Sequence, residues 1–317
     1  MSPFDRLPRV VRASTDSLVL VAVLVGLIAL FGTLSDYFWS RTVATTIANR
    51  IPPLMLVTVG MTWVLIVGGI DLSVGSIMAL TAGVFGYLIV SQEWSIPSAL
   101  VVSLLCGLAC GAFNGWLVVR WSVPSFIVTL GMMEAARGAA YLVTGSSTQY
   151  IGTQIQWLTV PRGTLQVSIA FGVALLAVLL GQLVLQKTVF GRHCIATGDN
   201  DAALRLSGID PRRTRWIVFA VSGCLAGLAG IVETARMAVA DPNSGTGMEL
   251  AAIAAAVIGG TSLAGGRGSI VRSFLGVLII SVLQTGLDQV GATDPVKRLV
   301  TGGVIVLAVI ADAWRRR

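Results

Sequence analysis

The sequence predicts an all-α integral membrane protein with about ten transmembrane helices. Hydrophobic residues make up 55% of the 317 residues and charged residues 12%, which is about half the charged share of a soluble domain. The mean hydropathy is +0.85, and the apolar residues form long runs instead of amphipathic stripes. These observations disfavour a large soluble core, and we expect residues 1–317 to form a single transmembrane domain.

Ten apolar runs approach the length of about 20 residues that a bilayer-spanning helix needs. They cover residues 17–35, 51–69, 73–90, 97–119, 123–144, 165–186, 215–233, 250–264, 270–287 and 298–313. The first run follows three arginines, as in a signal peptide, but it is long and no A-x-A-like cleavage site follows it. We therefore expect a retained helix behind an N-terminal tail of residues 1–16. The eighth run is short and rich in glycine and alanine, which predicts a broken or re-entrant segment near Gly259–Gly268.

Basic residues mark cytoplasmic loops and therefore orient the predicted spans. The segment 187–215 carries six basic residues and the chain ends in three arginines, whereas the segment 145–164 carries only Arg162. Placing the tail 1–16, the 187–215 loop and the C-terminus in the cytoplasm leaves six spans before this loop and four after it. Four basic residues then fall outside and count against the arrangement: Arg41, Arg50, Lys297 and Arg298.

Residues that would support enzyme chemistry or bind a metal are sparse in this sequence. His193 is the only histidine, and the four cysteines form no Cys-x-x-Cys pair, so neither a metal site nor a disulfide framework is expected. The phosphate-binding pattern Gly-x4-Gly-Lys-Ser/Thr does not occur in it, so an ATP-binding site of that type is not expected. The basic residues that give the net charge of +7 cluster at the ends of apolar runs. This distribution disfavours nucleic-acid binding.

One aspartate interrupts the apolar runs, in the segment from Val67 to Ser76. A charged side chain at the centre of a membrane costs about 2.5–3.5 kcal/mol. The segment places Gly68 and Gly69 before Asp71 and places Ser73 and Gly75 after it. Glycines permit unusual backbone geometry, and the polar side chains are suited to cap the next helix. We therefore expect a helix break at Gly68–Ser73, either as a tight cytoplasmic turn or as a segment that lines or gates a path through the membrane.

The segment around Asp71 resembles a second one. Both Ile66–Gly75 and Val257–Gly266 contain a Gly-Gly pair after an apolar helix, followed by polar residues. Transporters often use a broken-helix unit twice, in opposite orientations. The predicted topology places both segments in the same direction across the membrane, which does not fit a simple inverted repeat.

A short helix is predicted inside the basic 187–215 loop. A capping residue, Asp199 or Asn200, precedes a run of helix formers that ends at Gly208, and Asp210-Pro211 begins another helix. The short helix has a small apolar face composed of Ala202, Ala203 and Leu206. Because a helix of two turns is not stable alone in water, we expect it to dock on lipid, on the rest of the protein or in a groove of a partner.

Five stretches together resemble the pattern of the sugar permeases of bacterial ABC importers, in the ribose/xylose/galactose-type branch. They are Gly68–Gly75, Phe126–Gly138, Gly198–Ile209, Glu249–Gly260 and Gly265–Ser269. The first and fourth are specific in combination, and the resemblance runs from about residue 50 to the C-terminus.

The resemblance implies a permease subunit of the bacterial inner membrane that imports a monosaccharide or a related polyol by alternating access. It implies a dimer with a second copy or a homologous permease, and a periplasmic binding protein that delivers the sugar. A separate ATPase would bind ATP and Mg and would contact a coupling helix at about Asn200–Gly208. The chain itself would contain no catalytic residues, would not hydrolyse ATP and would hold no cofactor. Selectivity would lie largely with the binding protein.

Several polar or aromatic residues within the predicted spans are candidates for the sugar path. Trp63 and Asn114 suit this role because rings stack on sugar faces and amides bind hydroxyls, although packing between helices is the alternative role for Trp63. The other candidates are Thr58, Thr62 and Gln284. Glu134 and Arg137 lie three residues apart on one helix, so we expect them to neutralise each other.

Rival functions remain open at the level of sequence. An ion-coupled secondary transporter needs intramembrane carboxylates, and Asp71, Glu134 and Asp288 are available. An ABC permease for a nucleoside or an amino acid would resemble this chain as well. A channel or a membrane receptor is less well supported, because the sequence shows no recognisable selectivity ring or signalling domain.

Overall fold

The computed structural model describes residues 9–316, which are almost entirely helical. The helices are α1 Arg9–Leu34, α2 Arg41–Arg50, α3 Pro52–Ile66, α4 Val74–Val90, α5 Ile96–Trp121, α6 Ser125–Thr144, α7 Ile169–Lys187, α8 Val189–Asp199, α9 Asp201–Leu206, α10 Pro211–Met237, α11 Met248–Ile258, α12 Ile270–Gln289 and α13 Asp294–Arg316. Two short 3-10 turns lie at Asp36–Trp39 and Gln156–Leu158. A two-residue strand, β1 (Gln149–Tyr150), pairs antiparallel with β2 (Val239–Ala240).

The predicted membrane fold is confirmed, but the predicted number of spans is not. Within residues 9–316, six helices are long and apolar enough to cross a membrane: α1, α5, α6, α7, α10 and α12. The pair α2 and α3, bent by 47°, raises the number to seven if it is one span. Two further predicted spans correspond to the shorter apolar helices α4 and α11, which have 17 and 11 residues.

Three elements differ from their predicted bounds, two at the ends of the chain and one in the 187–215 loop. Helix α1 already begins at Arg9, so half of the expected tail 1–16 is helical, and residues 1–8 lie outside the described part. The last predicted span, 298–313, falls inside α13. Helix α8 was not predicted at all; Thr188 caps it by accepting a hydrogen bond from the Gly191 N–H at 3.2 Å.

Helix α3 forms the centre of the bundle. All of its 15 residues are buried, because α7, α8, α10, α11 and α12 surround it. The peripheral helices α1, α5 and α7 expose large apolar side chains such as Leu30, Leu105 and Leu179. Apolar side chains on the outside and a buried helix at the centre are the pattern of a bundle that uses lipid as its solvent.

Small residues bring α5 and α10 into close contact. Gly107 and Gly111 of α5 face Gly223 of α10, and a Cβ on any of these glycines would overlap with the opposing backbone. Side chains of ordinary size would push the two helices apart, so the glycines are required by the packing itself.

The bundle has two distinct ends. The α9 end carries α9, the last turns of α3, α5 and α7, and the first turns of α6 and α10. The opposite end carries the β1–β2 pair and the segment between α6 and α7. Both breaks in the central helices lie toward the α9 end, which concentrates the polar groups there.

Candidate functional site

The first helix break separates α3 from α4 and covers Val67–Ser73. Gly68 has a φ of +77°, in the left-handed region that favours glycine. The N–H groups of Gly68 and Gly69 donate to the carbonyls of Leu65 and Val64, both at 2.9 Å. This pattern is the Schellman ending of a helix, so the Gly-Gly pair terminates α3.

Asp71 is fully buried and its carboxylate holds the break together. Its Oδ1 accepts hydrogen bonds from the N–H and the Oγ of Ser73 at 3.0 and 2.6 Å. Its Oδ2 accepts one from Ser222 Oγ of α10 at 3.2 Å. The Ser73 Oγ in turn accepts a hydrogen bond from Asn114 Nδ2 of α5 at 2.9 Å. The network thus ties the start of α4 to two other helices, α5 and α10.

The backbone of the break is satisfied by hydroxyl groups at the start of α6. The Ile70 N–H donates to Ser125 Oγ at 2.9 Å, and the Leu72 N–H donates to Thr129 Oγ1 at 3.1 Å. Thr129 Oγ1 also donates to the Ile70 carbonyl at 3.2 Å. An unpaired backbone group is costly where water is excluded, so these bonds allow a non-helical segment inside the bundle.

The position of Asp71 in the bundle bears on the first of its two predicted roles, that of a surface turn. Its partner Asn114 precedes the end of α5 at Trp121, and Ser222 follows the start of α10 at Pro211. At a rise of 1.5 Å per residue, the two partners lie about 10 and 16 Å inside their helix ends. Asp71 is therefore inside the bundle, which disfavours a surface turn. Its role in lining or gating a path stays a prediction.

The second helix break follows α11 and covers residues 259–269. Gly260, Gly265 and Gly266 have φ values of +79°, +90° and +73°. The Gly266 N–H donates to the carbonyl of Ile66, the last residue of α3, at 2.9 Å. The expected break near Gly259–Gly268 is confirmed, and it lies directly against the first one.

The two breaks meet the end of α8 in a contact that we call the glycine junction: Gly68, Gly198, Gly265 and Gly266. A Cβ on Gly198 would overlap with the Ile66 carbonyl and the Gly266 N–H, and one on Gly265 would touch Gly198 and Gly68. Backbone therefore packs directly on backbone where α3, α8 and the second break converge.

The short helix α9 was predicted correctly, although its function remains a prediction. Asn200 is the capping residue, with Oδ1 accepting from the Ala203 N–H at 2.9 Å, whereas Asp199 ends α8. The helix ends at Leu206, and Gly208 follows with a φ of +79°. Its predicted apolar face points outward: Ala202 and Ala203 are exposed and Leu206 is 90% exposed.

An ion pair connects α9 to the first break. Asp201 Oδ2 accepts from Arg205 at 3.3 Å and from Arg215, in the first turns of α10, at 3.1 Å. The Nε of Arg215 also donates to the Val67 carbonyl at 3.4 Å. These residues border a cavity of about 370 Å³ whose wall includes Gly68 and Gly69.

The predicted path residues have different surroundings in the bundle. Trp63 is 5% exposed and packs on Phe190 with ring centroids 5.7 Å apart, which favours its packing role. Thr62 is buried and donates to the Thr58 carbonyl at 2.7 Å. Asn114 belongs to the Asp71 network, whereas Gln284 lies exposed on α12. Their role in a path therefore stays a prediction.

Arg137 has other partners than the sequence indicated. It donates to the carbonyls of Pro242 at 2.6 Å and Ser244 at 2.9 Å. It therefore binds the segment between α10 and α11 instead of pairing directly with Glu134, which is exposed on α6. That segment folds back against α6 and supplies these backbone acceptors. Mutual neutralisation of Glu134 and Arg137 stays a prediction.

The sequence reasoning missed five side chains of this site. They are Ser125, Thr129, Asp201, Arg215 and Ser222. Ser125 and Thr129 lie four residues apart and so share one face of α6. This spacing would have indicated that both hydroxyls contact the same segment, which is the first break. Arg215 and Ser222 show no local signal for their contacts with Val67 and Asp71, since these partners are distant in sequence. Asp201 has a local partner in Arg205, but this spacing does not indicate its contact with Arg215.

Comparison with known proteins determines the family. A family described as "Branched-chain amino acid transport system / permease component" matches residues 43–309. The chain belongs to this permease family. It is 40% identical to the ribose import permease of Escherichia coli K12 over 298 residues, 92% of each chain. It is 33% identical to the xylose transport permease of the same strain over 362 aligned positions, 94% of this chain and 92% of the relative.

The relatives confirm the predicted resemblance to the sugar permeases of ABC importers. The ribose import permease of Bacillus subtilis is 38% identical over 259 residues, 81% of this chain and 80% of the relative. No solved structure gives a match to the chain. This permease is therefore a multi-pass membrane protein of the transport subunit type.

Proposed function

We propose that this permease is the membrane-spanning subunit of an ATP-driven importer that moves a monosaccharide or a related polyol across the bacterial inner membrane. The observation that carries the proposal is the 40% identity to a ribose import permease over 92% of both chains. The buried polar break in the bundle supports it, because irregular backbone at membrane depth is typical of transport paths.

The proposed docking site for the ATPase is the outer face of α9. This face exposes Ala202, Ala203 and Leu206, and an apolar surface of this size on a basic loop suits a groove in a partner protein. The partner would bind ATP and Mg, and this chain would transmit the resulting movement. The α9 end of the bundle would then be cytoplasmic, together with both termini.

The proposed moving part is the first break. Asp71, Ser73 and their partners hold it by side-chain hydrogen bonds that connect α4, α5 and α10. Exchange of these bonds for others would allow the helices to open alternately toward each side of the membrane. A periplasmic binding protein would deliver the sugar, and a second copy of the permease or a homologue would complete the path.

The first test is purification of the tagged protein from its native host in mild detergent, with mass spectrometry of the proteins that copurify. We expect an ABC-type ATPase and a periplasmic binding protein. Reconstituted vesicles should then import sugar with ATP inside and with the ion gradients collapsed. Import that stops with the gradient while ATP remains high would establish the ion-coupled rival, for which the buried Asp71 carboxylate is the candidate group.

A second test addresses the docking face of α9. The variant Leu206→Glu should abolish recovery of the ATPase, because it places a charge in the centre of the proposed interface. Leu165→Glu is the matched control, since Leu165 is 77% exposed but lies in the segment between α6 and α7, at the opposite end of the bundle. Equal recovery of the ATPase with both variants would contradict docking at α9.

The cargo is tested with a panel of ligands. Binding-protein-dependent uptake of ribose, xylose, a polyol, a nucleoside and a branched-chain amino acid should be highest for a sugar or polyol. The amino acid belongs in the panel because the family description names it.

A further inference from the structure

One carboxylate connects the short helix α9 to the end of α3. Asp201 is the first residue of α9, and its Oδ2 accepts from Arg215 Nη1 at 3.1 Å. The same guanidinium donates through Nε to the carbonyl of Val67 at 3.4 Å. Val67 follows the last residue of α3 and opens the break that contains Asp71. Arg215 therefore bridges the two segments with two different N–H groups of one rigid, planar side chain.

The backbone around this bridge has little freedom to absorb movement. Gly198, three residues before the start of α9 at Asp201, packs directly on the Ile66 carbonyl and on Gly266. The Gly266 N–H is itself bonded to that same carbonyl at 2.9 Å. The close contacts of Gly198 with Ile66 and Gly266 therefore resist a displacement of α9. Arg215 transmits the displacement to Val67 at the end of α3. Well-packed interiors transmit strain in this way because they are not compressible.

The second arginine on Asp201 does not make the same connection. Arg205 binds Asp201 Oδ2 at 3.3 Å from within α9 itself, four residues along the helix. Its side chain is 49% exposed, compared with 27% for Arg215. An exposed pair inside a helix contributes little, and it cannot carry movement from α9 to α3. The chain thus offers a matched control for the bridge.

We propose that the Asp201–Arg215–Val67 bridge couples the ATPase-docking helix to the helix break, so that Arg215 is a positioning residue for transport. This inference rests on the proposed function of the permease as an ATP-driven importer. It predicts that loss of the bridge separates ATP hydrolysis from import. Docking of the ATPase through the outer face of α9 would remain, because Asp201 and Arg215 lie on the inner side of that helix, next to the cavity wall.

The experiment compares Arg215→Gln and Asp201→Asn with the control Arg205→Gln, each as the complete complex from the native host in proteoliposomes. Three quantities are measured: ATPase recovered per permease, ATP hydrolysed, and sugar imported per ATP. We expect normal recovery and hydrolysis within about two-fold, with a roughly ten-fold fall in sugar imported per ATP, in the range of known couplings between sites. The control should behave like the wild type.

Other outcomes overturn the proposal. Unchanged import per ATP in Arg215→Gln shows that the bridge is not needed. Loss of the ATPase from the complex shows a docking role instead. A joint fall of hydrolysis, import and melting temperature shows a purely structural role.

A second variant covers the case in which Arg215→Gln fails to assemble. Arg215→Lys keeps a cation for Asp201, but its single ammonium group cannot reproduce the two-sided bridge. The proposal predicts the same loss of import per ATP, and wild-type coupling in Arg215→Lys would overturn it. Failure of the proposed function itself is distinguishable, because the wild-type complex would then show no ATP-dependent import.

Discussion

The two helix breaks begin in the same way and are stabilised in different ways. At the end of α3, the N–H groups of Gly68 and Gly69 donate to carbonyls three and five residues earlier; at the end of α11, those of Gly260 and Thr261 do the same. Gly68 and Gly260 have the matching φ values of +77° and +79°. The two segments therefore share one helix-ending motif. The left-handed residue is the first glycine of the pair Gly68-Gly69 and the second glycine of the pair Gly259-Gly260.

The differences appear after the shared turn. The first break continues through Asp71 and is held by side chains from α5, α6 and α10. The second continues through further left-handed glycines, and backbone hydrogen bonds hold its loop, such as Ser262 N–H to the Arg267 carbonyl at 3.0 Å. Side-chain support from another helix comes at its end, where Gln182 Oε1 of α7 accepts from the Ile270 N–H at 2.8 Å. Side-chain bonds can be exchanged during a transport cycle, whereas a glycine-rich backbone loop is constrained by its shape. We infer that the first break is the one suited to move.

The largest effect should come from the glycine junction, where the second break and α8 leave no space. We expect Gly198→Leu to lower the free energy of unfolding by about 3 kcal/mol or more, because its side chain would overlap with backbone atoms that cannot rotate away. Denaturant or thermal unfolding in detergent measures the change. Gly138→Ala is the control, since a Cβ there has nothing within 4 Å. An equal loss of unfolding free energy in both variants would contradict close packing at the glycine junction.

Removal of the buried carboxylate should have the next largest effect. Asp71→Ala leaves the Ser73 and Ser222 hydroxyls without their acceptor, which should cost about 2 kcal/mol and abolish import. Asp71→Asn retains a carbonyl oxygen for Ser73 and offers an N–H to Ser222, so it should keep most of both stability and import. If Asp71→Asn is as inactive as Asp71→Ala while remaining stable, the charge itself is required and the ion-coupled rival gains support.

A matched pair of serines tests the comparison directly. Ser73 Oγ donates to Asp71 and accepts from Asn114, so Ser73→Ala should cost about 1–2 kcal/mol. Ser262 Oγ makes one local bond, from the Ala264 N–H at 3.2 Å, so Ser262→Ala should cost about 0.5 kcal/mol. Unfolding and import are measured for both; a larger effect from Ser262→Ala would reverse our assignment of side-chain and backbone support.

The smallest effect is expected at Gln284, which lies exposed on α12. Gln284→Ala should change the free energy of unfolding by less than about 0.5 kcal/mol, as surface substitutions usually do. The informative measurement for Gln284→Ala is the sugar concentration that half-saturates import. A change confined to that quantity would support Gln284 as a path residue, and unchanged import would remove it from the candidates.

Much of this site was readable from local patterns. Gly68-Gly69 and Gly208 were expected to end helices, and Asp199 or Asn200 was expected to cap α9. The glycines and Asn200 do so through contacts with residues at most five positions away. Such signals are short-range, because the geometry of a helix end depends on its own few residues. The roles of the path candidates could not be assessed in this way, since they depend on which helix each side chain faces.

The sequence by itself determined that this chain is a helical membrane protein, where its central helices break and which family it resembles. These properties follow from hydropathy, local backbone preference and the order of a few motifs. Only the tertiary structure decided that Asp71 is buried between α4, α5 and α10, and that Arg215 joins α9 to α3. Those contacts span 41, 151 and 148 positions of the chain, and the packing of whole helices, not local preference, brings such distant groups together.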